Sequence, residues 1–209
     1  GVIFTFNSEI IEINKTDRGY ILKTSHKEEI LSEILINCAG LGSERVAKLA
    51  GLNTTSLNYK LYPCKGDYFS IRASGGKLKH LVYPVPLKQE YGLGIHATIN
   101  LQGFIRLGPD ANYVENIDYN VDEKKGKEFY VFASKYLPWL EEKDISPDMA
   151  GIRAKLQGPD DEFRDFLIKD EVDNGFPGLI NLIGIESPGL TSCLAIAEYV
   201  SRIAKDKNH

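Results

Sequence analysis

A guanidinium, an imidazole and two further cations carry most of the chemistry that this 209-residue sequence offers. Arg153 stands in Ala150-Gly-Ile-Arg-Ala-Lys155, an apolar strand pattern in which a cation needs a partner. Its planar fork can clamp a carboxylate through two parallel hydrogen bonds, or pair with an acid of the chain itself. His96 stands in Gly92-Leu-Gly-Ile-His-Ala-Thr98, where strand alternation sets it opposite Ile95. An imidazole there can take a hydroxyl proton, or be an ordinary hydrogen-bonded sheet histidine. Lys65 in Pro63-Cys-Lys-Gly-Asp67 and Arg106 in Phe104-Ile-Arg-Leu-Gly108 read either as cations of an anion cleft or as solvated strand ends.

Two glycine-containing junctions could hold a cofactor. Asn181-Leu-Ile-Gly-Ile-Glu-Ser-Pro-Gly-Leu-Thr-Ser-Cys193 reads as a buried strand, a Gly/Pro turn and the start of a helix. Unpaired amides and the positive end of a helix dipole favour an anion or an electron-rich ring at such a place. Pro188-Gly189 would let backbone approach a ligand closely. A capped surface helix is the alternative. Ile34-Leu-Ile-Asn-Cys-Ala-Gly-Leu-Gly-Ser43 repeats the pattern, but Gly40-Leu-Gly42 is not a dinucleotide fingerprint. The third glycine position is Arg45, and no acid lies between Glu44 and Asp67 to reach a ribose. That turn either touches a cofactor or is structural.

Composition narrows the classes. A net charge of −4 argues against a nucleic-acid surface, and no apolar run approaches the ~20 residues of a membrane span. Cys38, Cys64 and Cys193 are far apart and lack CxxC spacing, so they read as reduced thiols of a cytoplasmic protein. No His/Cys/Asp/Glu group has metal-ligand spacing, so no metal is expected. The acid-rich Gly158-Pro-Asp-Asp-Glu-Phe-Arg164 reads as a solvated loop.

The elements that must position these residues follow from pattern. Val2–Phe6, Glu9–Asn14 and Tyr20–Lys23 read as a three-stranded meander, with Asn7-Ser8 and Asp17-Arg-Gly19 as turns. Ile34–Asn37 reads as a strand covered on both faces, followed by a helix capped by Ser43 and ended by Gly51. Leu61–Ile71, Leu81–Val85, Leu93–Thr98 and Phe104–Leu107 form a mostly antiparallel sheet, with Ser74-Gly-Gly76 among its turns. Phe129 to Leu137 follow helical spacing up to Pro138. Gly151–Leu156, Phe166–Lys169 and Leu179–Ile183 return to strand. A final helix over about 190–204 is expected to bury Leu190, Leu194, Ala197 and Val200. One domain is therefore expected from 1–58 with 151–209, and a second, β-rich one from 59–150 inserted between them.

Taken in order, several segments resemble one family. These are Ile36-Asn-Cys-Ala-Gly-Leu-Gly-Ser43, Lys65-Gly-Asp-Tyr-Phe69, Tyr83-Pro-Val-Pro86, Gly94-Ile-His96, Leu107-Gly-Pro-Asp-Ala111, Ala150-Gly-Ile-Arg153 and Ile185-Glu-Ser-Pro-Gly-Leu-Thr-Ser192. The set is similar to the L-2-hydroxyglutarate oxidase/dehydrogenase group of FAD-dependent oxidoreductases, within the D-amino-acid oxidase and glycine oxidase superfamily. The resemblance implies an α/β and α+β architecture: a partial, Rossmann-like FAD-binding domain from both chain ends, and an inserted, mostly antiparallel substrate domain flanked by a helix. It implies Arg153 as carboxylate anchor and His96 as base or substrate contact; a second carboxylate on a small anionic substrate would require Lys65 or Arg106 to join Arg153 in one pocket. It implies Ala39, Gly40, Gly42, Gly184, Ser187, Pro188, Gly189, Leu190 and Thr191 near FAD. The chain opens in mid-pattern without a Met or the family's N-terminal G-x-G-x-x-G unit. A C-terminal fragment is therefore expected, partnered by that missing segment, colourless by itself and prone to self-association through uncovered apolar surface. The implied reaction is oxidation of a 2-hydroxy acid to a 2-oxo acid, with glycerol 3-phosphate or an amino acid as alternative substrates, or a flavin-free binding module. Membrane association of an intact enzyme stays open.

Overall fold

The first antiparallel meander pairs β1 (Ile10–Thr16) with β2 (Gly19–Thr24) and β2 with β3 (Glu29–Ser32). The computed structural model describes residues 1–72, 75–85 and 94–205. Ser74 of the expected turn, Pro86 of its motif, and Gly92 and Leu93 ahead of His96 lie outside the described residues. The chain divides into two compact units: Gly1–Tyr62 with Ala154–His209, and Pro63–Arg153.

The first unit begins with a correction. Val2–Phe6 forms no strand; Val2, Ile3, Phe4 and Phe6 lie open to solvent. The third strand is instead β3, whose exposed Glu29, Ile30 and Leu31 show no inside–outside alternation for a sequence reading to find. It wins its place because a hairpin beyond Thr24 returns it along the open edge of β2. β2 buries Tyr20, Leu22 and Thr24 in strict alternation. Then come β4 (Leu35–Asn37), a 3-10 turn at Gly40–Gly42 and α1 (Ser43–Leu49). Ser43 is not the cap: the turn runs directly into α1, Gly42 holds the N-cap position, and the Ser43 hydroxyl is buried without a hydrogen bond.

The second unit is a sheet of β5 (Tyr62–Ile71), β6 (His96–Ile99), β7 (Ile105–Gly108), β8 (Asn112–Tyr113) and β9 (Ile145–Lys155), in the order β6-β7-β5-β8 with β9 also on β5. β6, β7 and β5 are successively antiparallel. Among the described residues, the expected strand at Leu81–Val85 is reduced to one bridge, Val82 to Ala97, and Pro84 has no N–H with which to extend it. The helix α2 (Gly126–Ala133) sets Phe129 and Ala133 into a core with Phe69, Ile71, Ile95, Ala97, Ile105 and Leu107.

The chain then completes the first unit with β10 (Leu167–Asp170), β11 (Leu179–Ile183) and α3 (Gly189–Lys205). β11 is parallel to β4 and antiparallel to β10, and all five of its residues are buried. β4 is not covered on both faces, since Ile36 is 42% exposed. α3 also turns differently from expectation. Val200, with Ile196 and Ile203, packs on Ile180 and Leu182, whereas Leu190 and Leu194 are 89% and 83% exposed. Isoleucine and valine at 196, 200 and 203 supply the 3.6-residue stripe that meets the sheet; Leu190, Leu194 and Ala197 lie on a neighbouring stripe.

Candidate functional site

In the second unit, cross-strand register fixes which side chains share a face. His96 pairs with Gly108 and Thr98 with Arg106, while Ser70 of β5 also pairs with Arg106. Thr98, Arg106 and Ser70 therefore form one row, with His96 on the same side of β6. Ile95 and Ala97 point the other way, fully buried. The Tyr136 hydroxyl donates to the Ile95 carbonyl at 2.7 Å, which ties the strand beside His96 to the segment after α2.

His96 is half-buried, and the edge of Tyr83 meets its ring with centroids 4.2 Å apart. The Val82–Ala97 bridge brings Tyr83 there. Burial, and then the positive charge of Arg153, hold the His96 imidazole below its ordinary range. A neutral ring at physiological pH can accept a proton. Arg153 itself is exposed on β9, next to the buried Ala154.

Arg106 and Lys65 are paired within the second unit. Arg106 Nε donates to Asp148 Oδ2 at 2.6 Å, beside the Tyr68 ring. Lys65 donates to the Asn120 carbonyl and lies 3.5 Å from Asp67 Oδ1, an ion pair rather than a hydrogen bond. Neither points freely into solvent. Asp67 and Asp110 are almost wholly buried and share Lys125, at 2.5 and 2.8 Å. Asp110 Oδ1 also accepts from the Asp67 amide at 2.6 Å. This cluster, whose Asp67 and Asp110 lie in motifs quoted above, went unnoticed at the sequence level because Lys125 sits in an ordinary-looking charged run.

The first unit holds both glycine turns. Ser187, Pro188, Leu190 and Thr191 are exposed at the start of the 17-residue α3, with no acid in its first turn. The glycines of that junction answer to internal packing, not to open approach. A Cβ on Gly184 would lie 2.6 Å from Leu156, and one on Gly189 2.6 Å from Ile185. Gly40 is the reverse: at φ +55° its Cβ would meet nothing within 4 Å. Ala39, Gly40 and Gly42 thus present a bare turn, and α3 presents first-turn amides that have no partner within the helix. Both features suit an anion or an electron-rich ring. Lys155, 3.7 Å from Glu186, adds a cation beside the junction.

Beneath Gly40 and Gly189, α3 and the outer side of β4 enclose a largely apolar groove of about 690 Å³. Ile36, Cys38, Ile185, Cys193, Ala197 and Ser201 are among its walls. Among the described residues no group of three His, Cys, Asp or Glu side chains could hold a metal ion, and no helix is long and apolar enough to cross a membrane.

The profile of the family described as FAD dependent oxidoreductase (DAO) matches residues 1–203. The chain is 41% identical over 187 residues to a mitochondrial L-2-hydroxyglutarate dehydrogenase of Arabidopsis thaliana, covering 83% of this chain and 38% of that protein. It is 31% identical over 209 residues to a glycerol 3-phosphate dehydrogenase of Caloramator mitchellensis, covering 99% and 40%. Its fold superposes on the FAD-bound L-α-glycerophosphate oxidase of Mycoplasma pneumoniae with a TM-score of 0.76 at 23% identity, covering 95% of this chain and 50% of the other. The chain thus spans about half the length of such relatives or less.

Proposed function

Because this chain belongs to the FAD dependent oxidoreductase family, we propose that it is part of a flavoenzyme that oxidises a small 2-hydroxy acid of the L-2-hydroxyglutarate kind to the 2-oxo acid. In this reading the first unit is the cofactor-facing half. The bare Ala39–Gly42 turn and the junction Gly184, Ser187, Pro188, Gly189, Leu190 and Thr191 contact FAD, and the α3 dipole favours negative charge at its start. Bound FAD supplies the two-electron acceptor for the substrate's α-carbon. The second unit holds the substrate. Arg153, exposed and planar, takes the α-carboxylate. His96, kept neutral by burial and by Arg153, takes the hydroxyl proton on a ring nitrogen, and the Tyr83 edge restricts its ring. Arg106 and Lys65 answer to a second carboxylate, Arg106 by exchanging Asp148 for the substrate.

The half-buried His96 ring, packed on Tyr83 and lowered in basicity first by burial and then by the charge of Arg153, is what carries this reading. The groove between α3 and β4 suits apolar chain from the remaining length of the relatives. The test is to produce this chain alone and together with the complementary portion of the plant relative. The chain alone is expected colourless; the pair is expected to carry flavin and to reduce a dye acceptor with L-2-hydroxyglutarate. Oxidation of glycerol 3-phosphate instead would favour the second reading, which the 31% relative motivates. Stoichiometric flavin on the chain alone would defeat the division of labour.

A further inference from the structure

We propose that Glu171, Asn181 and Asn37 form a polarity relay that holds the Ala39–Ser43 turn in one shape. All three are positioning residues of the first unit. They are 0%, 0% and 2% exposed, respectively. The relay's purpose rests on the reading of Ala39–Gly42 as a cofactor contact; its existence does not.

The direction of each hydrogen bond follows from chemistry. Glu171 is anchored by its backbone: its amide donates to the Leu179 carbonyl at 2.9 Å, and its carbonyl accepts from Asn174 and Phe176 at 3.0 and 2.9 Å. Both carboxyl oxygens of Glu171 accept, and the donors that point at them are all neutral: Tyr59, Asn174 and Asn181. Asn181 must therefore turn its NH2 toward Glu171, at 2.8 Å, which leaves its Oδ1 pointing away. Asn37 lies beside it in the parallel register of β4 and β11. That oxygen requires a donor, so the Asn37 NH2 faces it at 2.8 Å. The second Asn37 proton then goes to the Ser43 carbonyl at 2.8 Å, and Asn37 Oδ1 accepts from the Ala39 amide at 3.2 Å.

One carboxylate thus sets the orientation of two amides in series. The last of them bridges the first N–H and the last C=O of the turn that displays Gly40. An amide free to flip would offer a donor to the Ala39 N–H and an acceptor to the Ser43 carbonyl, both repulsive. A buried network satisfied at every member specifies one geometry; a half-satisfied one does not. A turn already held in its bound shape loses less entropy when a ligand arrives.

Hydrogen exchange of individual amides by NMR tests this on the chain itself. Glu171→Met keeps much of the volume and removes both acceptor oxygens, including the one that orients Asn181. The expected result is a rise of about tenfold or more in exchange at Ala39, with Ile180 and Leu182 of β11 unchanged. Tyr59→Phe removes only the 3.3 Å bond to the other carboxylate oxygen and is expected to leave Ala39 within about twofold. Asn37→Ser, which cuts the staple without touching Glu171, is expected to match Glu171→Met at Ala39. Unchanged exchange at Ala39 in Glu171→Met would overturn the relay, as would a uniform rise across the first unit. Release by Asn37→Ser but not by Glu171→Met would leave Asn37 acting alone, and the relay refuted. If the paired chains carry no flavin while Ala39 remains protected, the cofactor reading fails and the relay stands.

Discussion

The two units solve the problem of buried polarity in opposite ways. In the first, one carboxylate, Glu171, is surrounded by neutral hydroxyl and amide donors from Tyr59, Asn174 and Asn181. In the second, Asp67 and Asp110 share the ammonium of Lys125. Neutral donors impose direction, because an amide has distinct ends; an ion pair mainly imposes proximity. The difference matches what each unit displays. The first shows a bare turn whose backbone must point one way. The second shows a polar sheet face on which an imidazole and two guanidinium groups need the right charge environment.

Breaking the ionic side should have the largest effect. Lys125→Met removes the ammonium that Asp67 and Asp110 share, leaving only the longer Lys65–Asp67 ion pair, and is expected to destabilise the second unit by about 3–5 kcal/mol in urea unfolding. Replacing Asp67 and Asp110 by Leu together with Lys125→Met should recover much of that loss. If the single variant loses less than the triple, the cluster is not held together by its charges.

The next contrast lies within the first unit. Gly184→Ala forces a Cβ to 2.6 Å from Leu156 at φ +75°, and about 1–3 kcal/mol of stability should be lost. Gly40→Ala, at φ +55° in open space, should cost about 1 kcal/mol from the backbone alone. Equal thermal shifts for the two would contradict the claim that packing demands one glycine and open approach the other. Leu190→Gln with Leu194→Gln should change stability by no more than about 0.5 kcal/mol, since both side chains are already in solvent. The same pair should shift sedimentation toward monomer if the uncovered α3 stripe mediates self-association.

The smallest effect sharpens the second unit. His96 should titrate below 6.5, and Arg153→Met should move it part of the way back. The folded-state value is depressed, so the neutral ring is favoured by folding. That contribution is present above the unfolded value of 6.5 and is lost as pH falls through the folded one. The imidazole 1H–13C resonances of His96 report both points. An unchanged titration in Arg153→Met would remove Arg153 as a cause.

Parts of this were readable in advance. Leu179–Ile183 is an unbroken apolar run, and every residue of it is buried. The placement of His96 opposite Ile95 needed only strand alternation. Asn37 and Asn181 were readable in principle: each is a lone amide in an otherwise apolar strand, which must find a partner. Their partner Glu171 was not, because a glutamate in a loop carries no pattern distinguishing a buried acceptor from a solvated charge. Tyr83 reached His96 through a single bridge between residues 82 and 97, a pairing that no local periodicity encodes. Val2–Phe6 failed in the other direction. Its composition favours a strand, but a strand exists only where another offers hydrogen bonds.

Residue order by itself determined the cationic and imidazole groups available, the glycine turns, and the motifs shared with a flavoenzyme family. It did so because these depend on side-chain type and on spacing along one chain. Only the tertiary structure decided which face of α3 meets the sheet, that Arg106 and Lys65 are already engaged, and that a carboxylate 132 residues after Ala39 is hydrogen-bonded to that turn through Asn181 and Asn37. Those are outcomes of competition among donors and acceptors that meet only once strands from distant parts of the chain lie side by side.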